Sequence, residues 1–147
     1  MSDEDTPRVR GVVVAHGEMA RGLVDAVRRI SGHGEEALVP LSNDGRSPES
    51  LRAELESLLG DGPAVVFTDL QAGSCALAAV ATSRRGNTVV LCGANLPMLL
   101  DFVFHRDAPL DTLAERLVQK GREGIRSLRA SSGQPATPDA ATTPKDR

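Results

Sequence analysis

The residue best placed to do chemistry is His16, which follows the apolar run Gly11-Val12-Val13-Val14-Ala15 and precedes Gly17, Glu18, Met19 and Ala20. An imidazole with an ordinary pKa of about 6.5 is largely neutral at pH 7 and is then a competent nucleophile. A carboxylate that accepts a hydrogen bond from one ring N–H fixes the tautomer and leaves the other nitrogen free to attack. Asp69, in Thr68-Asp69-Leu70, is the candidate for that orienting role. A phosphoryl group arriving at such a nitrogen brings several anionic oxygens that need donors. The backbone of Gly17 and the helix start after it, together with Gly73 and Ser74 at a later helix start, would supply them. The plainer readings are that Asp69 is a capping carboxylate and Ser74 a helix N-cap. The sequence offers neither a chelating set of ligands nor a Walker-type lysine, so it requires no metal and no nucleotide or other cofactor.

These residues need a scaffold that presents them together, and the hydrophobic pattern supplies one. Strand signals fall at about 8–15, 37–41, 64–68 and 88–92, each a short, mostly apolar run of the kind buried on both faces of a parallel sheet. Between them lie helical stripes. The first, over 19–31, carries Leu23, Val24, Val27 and Ile30 and is stopped by Gly32 and Gly34. The second opens on Ser47-Pro48 and uses Leu51, Leu55, Leu58 and Leu59. An alanine-rich helix spans 74–84. A short apolar helical segment runs from 95 to 104. A final helix after Asp107 and Pro109 places Leu110, Leu113, Leu117, Ile125 and Leu128 in one register.

Alternating strands and helices with short connections predict an α/β fold with a parallel sheet and helices on both faces. In strand order 2-1-3-4 the winding reverses between strands one and three, and ligands bind at such a switch point. That order makes His16 and Asp69 neighbours, and puts Gly93-Ala94-Asn95-Leu96-Pro97-Met98 on the same rim. Asn95 and Pro97 read as turn and helix-entry residues, His33 and His105 as surface residues, and Met19 and Met98 as core packing or an apolar docking patch. Residues 1–130 form one domain. The Ser-, Thr-, Ala- and Pro-rich stretch 131–147 reads as a disordered tail.

Composition narrows the partners. A net charge of −3, three Phe, and no Tyr or Trp argue against nucleic acid, for which the chain has neither a basic field nor a stacking platform. No apolar run approaches the ~20 residues of a membrane span, and the acidic start Met1-Ser2-Asp3-Glu4-Asp5 does not suit a signal peptide. Two isolated cysteines, Cys75 and Cys92, read as reduced, partly buried thiols, so a cytoplasmic protein is expected.

From about residue 8 to 128 the chain resembles the IIA component of the mannose-type sugar phosphotransferase system. The resemblance rests on Val12-Val13-Val14-Ala15-His16-Gly17-Glu18-Met19-Ala20, Thr68-Asp69-Leu70 and Gly93-Ala94-Asn95-Leu96-Pro97-Met98, in order. It implies that His16 accepts a phosphoryl group from the phosphocarrier protein HPr and passes it to a IIB partner that phosphorylates incoming sugar. It also implies that Asp69 orients His16 and that Ser74 contributes to the phosphate pocket. Membrane contact would be indirect at most, through a IIC/IID permease. A homodimer that exchanges an edge strand between subunits is implied as well. After Asp69-Leu70 the family usually carries an aromatic, two glycines, Ser, Pro, a variable residue and Asn. Here Gln71-Ala72-Gly73-Ser74-Cys75-Ala76-Leu77 stands there, with Ala72 for a glycine, Cys75 for the proline and Leu77 for the Asn. That departure bears on partner surfaces more than on phosphorylation of His16. It motivates a second reading: a regulatory module whose partner binding is switched by His16 phosphorylation, without sugar transport. A hydrolase with Ser74 as nucleophile lacks the Gly-x-Ser-x-Gly elbow, and a nucleotide-binding module lacks a Gly-rich fingerprint after the first strand.

Overall fold

The computed structural model describes residues 8–33 and 36–131. The proposed tail therefore lies almost entirely outside the described residues. Among those residues four strands, β1 (Arg10–Ala15), β2 (Leu38–Ser42), β3 (Ala64–Thr68) and β4 (Thr88–Cys92), pair in parallel in the order β2-β1-β3-β4. This is the predicted α/β arrangement. The helices are α1 (Met19–Ser31), α2 (Pro48–Leu59), α3 (Ser74–Thr82), α4 (Leu96–Phe104) and α5 (Leu110–Glu123).

Because β1 and β3 are covered on both sides, their side chains from Val12 to Ala15 and from Ala64 to Thr68 are all buried. Alternation along each strand then sorts the core into two layers. Val13, Ala15, Val65 and Phe67 face α1, α4 and α5 through Val24, Val27, Leu99, Phe102, Leu113 and Leu117. Val12, Val14, Ala64 and Val66 face α2 and α3 through Leu51, Leu55, Leu59, Cys75 and Ala79. Phe67 and Phe102 meet edge to face, with ring centroids 5.2 Å apart. Gly11 lets this layer close: a Cβ there would stand 2.5 Å from the Phe102 ring.

Three expectations need correction. The alanine-rich helix does not run to residue 84 but ends at Thr82, and Ser83–Arg85 form a 3-10 turn closed by Gly86 at φ +86°. The final helix stops at Glu123, so Ile125 and Leu128 are not part of its buried stripe; Ile125 is 76% exposed. Near this end α5 packs closely on α4: a Cβ on Gly121 would lie 2.8 Å from Met98 Cε and one on Gly124 2.5 Å from Pro97 Cγ. Gly124 is the C-cap residue, and Ile125 and Leu128 lie beyond it, where periodicity alone carries the pattern onward. Finally, Cys75 is fully buried and Cys92 is exposed, instead of both being partly buried.

Candidate functional site

The last paired residues of β1 and β3 are Val14 and Thr68, so the chains leave the sheet side by side at the point where the winding reverses. His16 and Asp69 sit just beyond. The Asp69 Oδ2 accepts two hydrogen bonds from one residue: the His16 backbone N–H at 3.0 Å and the ring Nδ1 at 2.8 Å. The other oxygen, Oδ1, accepts the Leu70 N–H at 3.0 Å. The carboxylate is nearly sealed, with 8% of its side chain exposed, whereas the imidazole is 44% exposed. Burial alone would raise the Asp69 pKa; the amide and ring hydrogen bonds from His16, with its nearby charge, outweigh burial and hold it below the ordinary value.

An ionised carboxylate can only accept, so the bond to Nδ1 places the ring proton there and leaves the lone pair of Nε2 free. That nitrogen borders Gly73. The φ of Gly73 is +96°, in the region that favours glycine, and a Cβ on it would stand 3.9 Å from Nε2 and 3.8 Å from Cε1. The space beside the free nitrogen is therefore kept clear by a residue without a side chain.

Gly73, not Ser74, occupies the N-cap position of α3, and Ser74 is its first helical residue. Neither α1 nor α3 has a side-chain cap, whereas Ser47 caps α2 and Asn95 caps α4. At α1 the first N–H, of Met19, donates to the His16 carbonyl at 3.2 Å, whereas the first N–H groups of α3 have no side-chain acceptor, an arrangement suited to an anion. Gly17, with φ +57°, makes the turn after β1, but its N–H already donates to Asn43 Oδ1 at 3.3 Å. The brace comes from the next strand: Ser42 Oγ donates to the Gly17 carbonyl at 2.8 Å, and the Asn43 N–H donates to the Ala15 carbonyl at 3.2 Å. Sequence reasoning missed Ser42 and Asn43, although Ser42-Asn43-Asp44-Gly45 is a polar cluster ending a strand, as His16-Gly17 and Thr68-Asp69 also are.

The remaining candidates sort clearly. Asn95 caps α4 through Met98 N–H at 3.1 Å and donates to the Gly121 carbonyl at 2.9 Å, so it is the turn residue expected. Met98 is core, while Met19 beside the site is exposed, as is Leu70. His33 packs edge-on against Phe104 at 4.7 Å, and His105 donates from Nδ1 to the Asp101 carbonyl at 2.8 Å; both are half-buried, away from the rim. Cys75 Sγ lies 3.9 Å from His16 Nδ1. Burial, and next the charge of Asp69, push this thiol's pKa up.

Residues 11–118 match the model of the mannose-type EIIA family, described as PTS system fructose IIA component. The chain belongs to this family. It is 30% identical over 145 residues to the PTS system mannose-specific EIIAB component of Escherichia coli strain K12, an alignment covering 91% of this chain and 44% of that protein. The chain thus spans less than half the length of that relative. Among solved structures, a phosphotransferase system component EIIA from Streptococcus agalactiae superposes with a TM-score of 0.75 at 28% identity, covering 81% of this chain and 96% of its own. A mannose/sorbose-specific IIA subunit from Enterococcus faecalis gives 0.76 at 22% identity over 85% and 98%, a likeness of fold. Among the described residues no helix is long and apolar enough to cross a membrane.

Proposed function

We propose that this IIA-family chain is a histidine phosphocarrier in a phosphoenolpyruvate-dependent sugar phosphotransferase system. Nε2 of His16 accepts the phosphoryl group from HPr and passes it to a IIB partner. The observation that carries the reading is the pairing of Nδ1 with a nearly sealed carboxylate while Nε2 stays open beside Gly73. In the forward step the Nε2 lone pair forms a P–N bond as the bond between phosphorus and the donor breaks, and that electron pair leaves with the donor. The proton on Nδ1 stays, so the phosphorylated ring carries positive charge, which the Asp69 carboxylate stabilises. The backbone N–H groups at the start of α3, with Ser74, meet the phosphoryl oxygens. Reversal toward IIB needs nothing further from the chain.

Exposed Met19 and Leu70 flank the pair and offer apolar contact to a protein donor. Incubation with enzyme I, HPr and labelled phosphoenolpyruvate should give acid-labile, base-stable labelling that His16→Ala abolishes and His33→Ala and His105→Ala retain. Labelling that persists in His16→Ala overturns the proposal. A second reading, a regulatory module switched by phosphorylation, is favoured by Leu77, 75% exposed on α3 where the family pattern has a polar Asn. Rapid transfer from the labelled chain to a cognate IIB protein decides for the carrier.

A further inference from the structure

Cys75 has no part in the phosphocarrier chemistry, yet its sulfur belongs to the same cluster. The His16 ring nitrogen, an Asp69 carboxylate oxygen and Cys75 Sγ all lie within 4.8 Å of one another, with Nδ1 2.8 Å from Oδ2 and 3.9 Å from Sγ. The three donors come from three different elements: the turn after β1, the turn after β3 and the first turn of α3. Such separation explains why the sequence shows no ligand spacing.

We propose that His16 Nδ1, Asp69 and Cys75 form a binding site for a borderline-soft divalent cation, of which Zn2+ is the best match, and that its occupancy blocks phosphoryl transfer. The donor set selects the ion. Thiolate and imidazole together suit Zn2+, whereas Mg2+ and Ca2+ take oxygen donors. Zn–N and Zn–O bonds of about 2.0–2.1 Å and a Zn–S bond of about 2.3 Å set tetrahedral ligand–ligand separations of roughly 3.3–3.6 Å. The Nδ1–Oδ2 gap must therefore open by about half an ångström and the Nδ1–Sγ gap close by less, while the carboxylate oxygen and Sγ, within 4.8 Å of each other, draw together by up to about 1.2 Å through side-chain rotation. The gap between Nδ1 and Oδ2 is short because a proton now bridges them; the metal takes that proton's place. The imidazole, 44% exposed, swings aside to admit the ion to the covered carboxylate and thiol, and water takes the fourth position.

The proton balance determines the consequence. On binding, the Cys75 thiol releases one proton to solvent and its sulfur bonds to zinc. The Nδ1 proton moves to Nε2, so the ring remains neutral and coordinates through Nδ1. Zn2+, one thiolate and one carboxylate then sum to zero charge. Nε2 now carries hydrogen in place of a lone pair and cannot attack phosphorus. A cation at this site and a phosphoryl group on Nε2 are thus alternatives. This regulatory half rests on the phosphocarrier reading; the binding half does not. Cys75 stands where the family pattern carries proline, a residue with no donor side chain, so the device is particular to chains with this substitution.

The full chain titrated with Co2+ as a spectroscopic stand-in should develop a thiolate-to-cobalt absorption band and tetrahedral d–d bands at one equivalent, both reversed by Zn2+. The charge-transfer band should be lost in Cys75→Ala and the d–d bands weakened in His16→Ala, while Cys92→Ala behaves as the parent. A band that survives Cys75→Ala, or that vanishes in Cys92→Ala, overturns the site. Zn2+ should also suppress phosphoryl labelling in the parent chain, and the ratio of labelling with to without Zn2+ should rise toward one in Cys75→Ala. Cobalt binding without labelling in metal-free buffer would leave the site standing and remove the phosphocarrier reading. Labelling with no cobalt band would do the reverse.

Discussion

Replacing Asp69 separates two things that its carboxylate supplies: geometry and charge. In Asp69→Asn the amide oxygen can still accept from the His16 N–H and from Nδ1, the two bonds now made at 3.0 and 2.8 Å. Its NH2 group then turns toward the Leu70 N–H, which has lost its acceptor. A hydrogen bond to a charged group is worth about 1.5–3 kcal/mol and one between neutral groups about 0.5–1.5 kcal/mol, so the exchange at Nδ1 costs about 1 kcal/mol. Positive charge grows on the ring during transfer, and that cost falls on the transition state. The expected rate of phosphoryl acceptance is about fivefold to tenfold lower. Asp69→Ala removes the acceptor altogether, leaving the ring free to rotate and to adopt the other tautomer. Two lost bonds at about 1.5 kcal/mol each predict a rate roughly a hundredfold lower. With the ring 44% exposed, water compensates in part and the low end of each range applies. Single-turnover transfer from labelled HPr measures both, with circular dichroism confirming the fold. If Asp69→Ala accepts phosphate at the native rate, the orienting role is refuted; if Asp69→Asn falls as far as Asp69→Ala, geometry contributes nothing.

Gly73→Ala forces a side chain onto a φ of +96° and brings its Cβ to 3.8–3.9 Å from the ring edge. It should cost about 1–3 kcal/mol in thermal or denaturant unfolding and slow labelling more than Asp69→Asn does. Asn95→Ala removes the α4 cap and the tie to the Gly121 carbonyl, and should cost about 1–2 kcal/mol by urea titration while labelling of the folded protein is retained. Gly11→Ala sets a methyl 2.5 Å from the Phe102 ring and 2.8 Å from Leu38 Cδ1, an overpacking expected to cost about 1–3 kcal/mol in the same titration.

The sheet order was readable because β1 and β3 have no polar face. Runs such as Val12-Val13-Val14 and Val65-Val66-Phe67 fit strands covered on both sides, and one residue beyond each buried run, after Ala15 and Thr68, stands a polar side chain, His16 or Asp69. The bounds of α1, β3 and β4 follow from breakers adjoining the pattern. At the end of α5 periodicity runs past the true boundary, because Ile125 and Leu128 keep the register but lie beyond Glu123 and are exposed. The side-chain partners of the site divide in the same way. His16 and Asp69 follow from topology alone, since adjacent parallel strands deliver their last residues to one place. The spending of the Gly17 N–H on Asn43 does not follow, because it depends on how the β2 exit folds back over the turn. Nor does the approach of Cys75 to His16, which requires knowing that α3 starts at Ser74, after the Gly73 cap, with its first turn beside the His16 ring.

The contrast in exposure within the pair, 44% for His16 against 8% for Asp69, ties the fold to the chemistry. A carrier must take a phosphoryl group from one protein and surrender it to another through the same nitrogen, so that nitrogen has to be reachable by surfaces as well as by small molecules. The charge that steadies the intermediate has to be shielded, because a carboxylate in full solvent is screened and orients little. A parallel sheet at its switch point meets both demands. β1 ends in a turn braced by Ser42 and Asn43, with the ring exposed beyond it, and β3 ends beside that turn, with the carboxylate nearly covered. The His16 amide then bonds to the same oxygen as the ring. Its backbone and side chain are thus fixed on one acceptor, so the oxygen that orients the ring is itself held in place by the amide of the turn.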